Sequence, residues 1–142
     1  KLKKIAPEDN NVLFFIGKVE KEKQNPDAED YFKKAILVDP YFINGYLELS
    51  NFYLQKSKTK EALSVLDKGL EKIDESSIKY FREQCQLSKN PEIKESLGCF
   101  PFLNGIINLY SQKSNVEKIE GNLENAKLFL EKAEAIKNYL SE

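Results

Sequence analysis

Histidine, methionine and tryptophan are missing from this chain of 142 residues, and cysteine occurs only twice. Without histidine the commonest general base, the commonest metal ligand and the physiological-pH switch are gone together. A Cys/His zinc site is excluded, as is a Cys–His or Ser–His nucleophile pair. Charge of one sign is also lacking. Lys+Arg is 22 and Asp+Glu is 23, a net charge of −1, spread evenly along the chain. That excludes the basic footprint a nucleic-acid partner requires. No apolar run approaches the length a membrane-spanning helix needs, so no direct membrane insertion is expected. Six Gly and five Pro are few for this length, and they fall where helices start or stop. The absence of any Met suggests a processed or excised segment, and nothing in the residues fixes a compartment.

What is present is helical spacing. Hydrophobic residues make up 41% and charged residues 32%, a globular balance. Apolar stripes recur at helical intervals, and strict alternation is rare. The first stripe is Val12, Phe15, Ile16 and Val19. After Asn25-Pro26, a fitting N-cap and first helical residue, comes Ala28, Phe32, Ala35 and Ile36. Asp39-Pro40 ends that helix. A third stripe is Tyr46, Leu49 and Tyr53. Thr59 caps a fourth: Ala62, Leu63, Leu66, Leu70 and Ile73. Short loops make neighbouring helices antiparallel, so the expected class is all-α, built of helical hairpins.

A shift of 34 residues lays the first hairpin on the second. Val12 falls on Tyr46, Phe15 on Leu49 and Val19 on Tyr53. Ala28 falls on Ala62, Phe32 on Leu66 and Ala35 on Gly69. Small residues at the Ala28 and Ala35 places let two helices approach, and large ones at the Phe32 place fill the space between hairpins.

This pattern resembles the tetratricopeptide repeat (TPR) family. Two residues depart from it: Ile16, where the family has a small residue, and Asp74, where it has proline. The match extends to Leu103, Ile106, Ile107 and Tyr110 on a first helix and to Ala126, Leu130 and Ala133 on a second. Roughly seven extra residues, about two helical turns, then lie between them. Helices are expected from Pro101 to near Glu120 and from Asn122 to near Tyr139, with Gly121 at the turn. The implied organisation is a tail over 1–8 and one domain over 9–142. Its repeats run over about 9–42 and 43–76, with a degenerate segment at 77–99 and an extended repeat at 100–140. In the degenerate segment Ile78 to Leu87 is expected as a helix, broken at Asn90-Pro91, with a short turn over Glu92–Leu97. The resemblance implies hairpins stacked as a right-handed α–α superhelix with a concave face lined by first helices.

It also implies binding of a protein or peptide segment rather than catalysis. The residues it directs into the groove are Asn10, Leu13 and Gly17, followed by Glu20 and Lys21. In the second repeat they are Asn44, Leu47, Asn51, Leu54 and Gln55. In the last they are Asn104 and Asn108, with Pro101, Ser111 and Gln112. A carboxamide both donates and accepts, so it can pair with the backbone of an extended peptide. The alternative is solvated helix surface in a chain with 12 asparagines. Capture of a C-terminal carboxylate is disfavoured. The only Arg is Arg82, and Leu13 and Leu47 stand where basic or amide residues would be needed.

Other features carry less. The acidic cluster Asp27, Glu29 and Asp30 suits a helix start. Ser57-Lys58-Thr59-Lys60 has the Ser-x-x-Lys form but lies on a turn without companion motifs. No enzyme chemistry, metal or cofactor is implied. Lys1, Lys3 and Lys4 read as a solvated terminus. Cys85 and Cys99 read as buried free thiols, or as a disulfide closing a loop worth roughly 3 kcal/mol. Val116 and Ile119, beyond the repeat core, raise an architectural alternative: a helical module that spaces domains or forms a homo-oligomer through its C-terminal helices.

Overall fold

The structure, a computed structural model, describes residues 9–73, 79, 83 and 99–141. Among the described residues the elements are all helices: α1 (Asn10–Glu22), α2 (Ala28–Val38), α3 (Ile43–Gln55), α4 (Thr59–Lys72), α5 (Cys99–Ile119) and α6 (Leu123–Ser141). The all-α class follows directly. Of the helix expected from Ile78 to Leu87 the described residues are Lys79 and Glu83, both helical; the break at Asn90-Pro91 and the turn over Glu92–Leu97 lie outside the described residues, as does the pairing state of Cys85. The chain forms two compact units, Lys1–Gly69 and Leu70–Glu142.

In the first unit each helix boundary has a local cause. The Asp9 carboxylate accepts from the N–H groups of Asn11 and Val12, at 2.9 and 3.2 Å, and caps α1. Asn25 Oδ1 accepts from the N–H of Asp27 at 3.0 Å, so it caps the tight turn that leads into α2. Asp39, before Pro40, is extended at φ −134° and ψ 96°, which stops α2. The α1–α2 and α3–α4 hairpins close alike. The Asn25 N–H bonds to Glu20 O and the Lys58 N–H to Tyr53 O, both at 2.9 Å. The residue before each, Gln24 or Ser57, is left-handed at φ 58° or 59°.

The buried face of α1 differs from the expected one. Leu13, Phe14 and Gly17 are buried, whereas Phe15 and Val19 are 61% and 52% exposed. Leu13, Gly17 and Glu20 answer to Tyr46, Ser50 and Tyr53, a shift of 33. The second helices keep the shift of 34. The difference lies at the start of α2, where the Ala28 N–H reaches back to Asn25 O. The Ala62 N–H in the second hairpin reaches Lys58 O, one residue further. The first hairpin therefore has one residue fewer between turn and helix. The small residue for the close approach is Gly17, not Ile16. In α3 and α4 Tyr46, Leu49, Tyr53, Ala62 and Leu66 of the expected stripes are buried, as is Ile73 just past α4, whereas Leu63 and Leu70 are half-buried.

Aromatic rings run through this core. Phe42 meets Phe14 at 5.1 Å between centroids, Phe14 meets Phe32 at 6.0 Å, and Phe32 meets Phe52 at 6.4 Å. All are tilted or edge-on, the arrangement the ring quadrupoles favour. Phe52 continues to Tyr53 at 6.0 Å.

The second unit contains the α5–α6 hairpin, closed by Gly121 at φ 85°. The Asn122 N–H bonds to Glu117 O at 2.9 Å. Ser114 Oγ donates across the hairpin to Ala126 O at 2.6 Å, and the Tyr110 and Phe129 rings stack at 6.2 Å. A shift of 64 from the α3–α4 hairpin carries Tyr46, Ser50, Ser57, Ala62 and Gly69 onto Tyr110, Ser114, Gly121, Ala126 and Ala133. The two extra turns therefore precede Tyr110. They carry the buried Leu103 and Ile106, whereas Ile107 and Leu109 answer to Ile43 and Gly45, and nothing is inserted between Tyr110 and Ala126.

Candidate interaction face

On α3 the residues Leu47, Asn51 and Leu54 follow at helical intervals and form one stripe. All three are half-buried, with Asn44 and Gln55 exposed at the ends. Ser50, fully buried beside them, donates its hydroxyl to Leu47 O at 2.8 Å. The stripe therefore stands on a helix whose opposite side is fixed in the core.

The 33-residue shift locates the matching positions on α1 at Asn11, Phe14, Lys18, Lys21 and Glu22, of which Phe14 is buried. The Lys18 ammonium lies 5.6 Å from the Phe14 ring centroid, a cation–π contact. Lys21 Nζ donates to Glu48 Oε2 of α3 at 3.0 Å, with both side chains about four-fifths buried. This pair bridges the two first helices beside the stripe. Of the α1 residues expected in a groove, Leu13 is 2% exposed and Gly17 is buried, so both belong to the core. Asn10 is half-buried at the start of the helix. The one-residue shift is the reason. Requiring a small residue at the close approach would have chosen Gly17 and brought out Phe14 and Lys18.

In the second unit Asn104 and Asn108 are exposed one turn apart on α5. Asn108 answers to Asn44, whereas Asn104 lies on the extra turns. Ser111 and Gln112 are half-buried.

Behind the α3 stripe, two phenols are held protonated. Burial raises the Tyr53 pKa far above its usual 10.0, aided by a hydrogen bond to Glu29 and by the charges of Glu29, Glu61 and Asp30. Tyr46 is raised by burial and by Asp39, and its hydroxyl donates to Pro40 O at 2.7 Å. These groups serve packing. Among the described residues no group of three or more Cys, Asp or Glu could hold a metal ion, and no helix is long and apolar enough to cross a membrane.

Among the described residues three hairpins, each closed by the same left-handed turn and each pinched at a small residue (Gly17, Ser50 or Ser114), define a helical-hairpin repeat fold. No protein-family model and no curated protein matches the chain. Among solved structures it is similar to the crystal structure of MamA, at 14% identity and a TM-score of 0.44, over 99% of this chain and 86% of that one.

Proposed function

We propose that this chain is a non-enzymatic, TPR-type protein-interaction module in which a peptide or protein segment lies along α3. The observation that carries this is the Leu47–Asn51–Leu54 stripe. Two half-exposed leucines flank a carboxamide on a helix already anchored in the core, so little ordering cost falls on this side of the complex. The leucines would take apolar side chains of the segment, and Asn51, with Asn44, its backbone polar groups. Lys18, over the buried Phe14 ring, extends the surface on α1. Gln55 stands as a further contact of the same chemistry, and on α5 of the second unit Asn104 and Asn108 offer that chemistry separately.

Selection of extended peptides from a displayed library tests this. The selected binders are expected to lose about tenfold or more in affinity, some 1.4 kcal/mol, for Leu47→Ser/Asn51→Ala at unchanged Tm. Equal affinity for the two chains contradicts it.

A second reading is favoured by Ile119 and Leu123, 63% and 68% exposed on either side of the Gly121 turn. Copies of the chain would associate through the tips of the C-terminal helices. Sedimentation at high micromolar concentration decides, with Ile119→Lys/Leu123→Lys as the control that removes such association.

A further inference from the structure

Phe15 and Val19 form an exposed apolar edge on α1, next to the half-buried Val12. The 33-residue shift carries Val12, Phe15 and Val19 onto Gly45, Glu48 and Phe52 of α3. There the same edge is covered, and what covers it is the preceding hairpin. Phe52, only 6% exposed, takes the Phe32 ring of α2 edge-on at 6.4 Å. Glu48 takes the Lys21 ammonium of α1 at 3.0 Å. A Cβ at Gly45 would stand 3.0 Å from Ile36 Cγ1 of α2. The α1 edge has a phenyl group where α3 has the Glu48 carboxylate, so it is the more apolar of the two, and it is the exposed one among the described residues.

The covering surface can be described from this template. It is a second helix with an aromatic and a branched aliphatic residue four apart, as Phe32 and Ile36 are, carried by a hairpin. A second copy of this chain does not offer it. The corresponding residues of α6 are Leu130 and Glu134, and Glu134 pairs with Lys137 at 3.4 Å in solvent. Setting Glu134 against Val12 would take that carboxylate out of solvent, a cost Ile36 does not carry in the template.

We propose that the α1 edge is a docking surface for a helical hairpin from another polypeptide segment. That hairpin stacks on Val12, Phe15 and Val19 as α1–α2 stacks on α3. This is independent of the α3 stripe and of any ligand there.

A tandem chain tests it, with residues 10–42 repeated directly ahead of Asn10. The added copy then meets α1 through the same join that links Phe42 to Ile43. The expected result is a rise in Tm of about 3 °C or more over the parent. Phe15→Glu/Val19→Glu in the inner copy removes that rise. The same pair in the outer copy preserves it, because there both residues face solvent. In the parent chain the pair is close to neutral. A tandem no more stable than the parent, or one indifferent to the inner pair, overturns the proposal. Sedimentation of the unmodified chain is the second arm. A monomer supports a separate partner. A dimer abolished by Phe15→Glu/Val19→Glu assigns the edge to a second copy and overturns the choice of partner.

Discussion

Gly17 lies against the ring of Phe32. A Cβ at residue 17 would stand 2.8 Å from Cε1 and 2.9 Å from Cδ1, and 3.2 Å from Tyr31 Cβ. Phe32 is fully buried and touches Phe14 and Phe52, so its ring has nowhere to retreat. This contact sets which face of α1 enters the core.

Gly17→Ala is therefore expected to destabilise by about 1–2 kcal/mol, overpacking outweighing the gain in helix propensity. Gly17→Val should cost more, about 3 kcal/mol. Phe15→Ala should stay within about 0.5 kcal/mol, as an exposed position does. Urea denaturation of the three variants checks this. A larger loss at Phe15 than at Gly17 contradicts the register.

The hairpin turns give a second expectation. Gln24 and Ser57 occupy left-handed backbone that Gly121 occupies without strain. Ser57→Gly should stabilise by about 0.5–1 kcal/mol, and Gly121→Ala should destabilise by about 1 kcal/mol. Thermal melts decide, and the two shifts must have opposite signs.

Much of this fold was legible in the residues. The stripes of α2, α3 and α4 gave their buried faces, because Ala, Leu and Gly at the second-helix places leave one packing solution. Asp39-Pro40 marked the end of α2 and Gly121 the last turn. The face of α1 was not legible from a uniform 34-residue shift. Val12, Phe15 and Val19 are as apolar as Leu13 and Phe14, so hydrophobicity could not choose between the two stripes. The choice is made by the shortened start of α2 and by the ring of Phe32, which is a tertiary contact. The extra turns of α5 were misplaced for a similar reason: Leu103, Ile106 and Ile107 have the spacing of a first helix. The Gly121 turn and the Ser114–Ala126 hydrogen bond show that the hairpin is registered one stretch later. The proposed interaction face follows the same division. On α3 the residues Leu47, Asn51 and Leu54 lie on a surface stripe, whereas Leu13 and Gly17 moved into the core.

Two turns share a side-chain device. Asn122 Nδ2 donates to Glu117 Oε2 at 2.9 Å, as Asn25 Nδ2 does to Glu20 Oε2 at 2.6 Å. Glu117 is only 6% exposed. Asn122→Ala removes that donor from a buried carboxylate and is expected to cost about 1–3 kcal/mol. Asn122→Asp should cost more, by setting two carboxylates together. Equal stability of wild type and Asn122→Asp in denaturant contradicts this role.

The buried phenols predict a loss of stability in base. Folding raises the Tyr53 and Tyr46 pKa values above the ordinary 10.0. Above that pH the unfolded chain releases these protons while the folded chain keeps them. Stability is therefore whole below about pH 10 and declines as pH rises beyond it. Tyr53→Phe should flatten the decline measured from pH 9 to 11 relative to wild type. An identical slope in the two proteins contradicts the assignment.

The most direct measurement of the interaction face is a comparative capture from an extract of the source organism. Wild type and Leu47→Ser/Asn51→Ala are immobilised side by side, with melts confirming equal stability. Bound proteins are read by mass spectrometry. The account predicts at least one protein retained by wild type and lost from the variant, and direct titration of that protein should reproduce the loss. The same set of partners on both chains would contradict a binding face on α3.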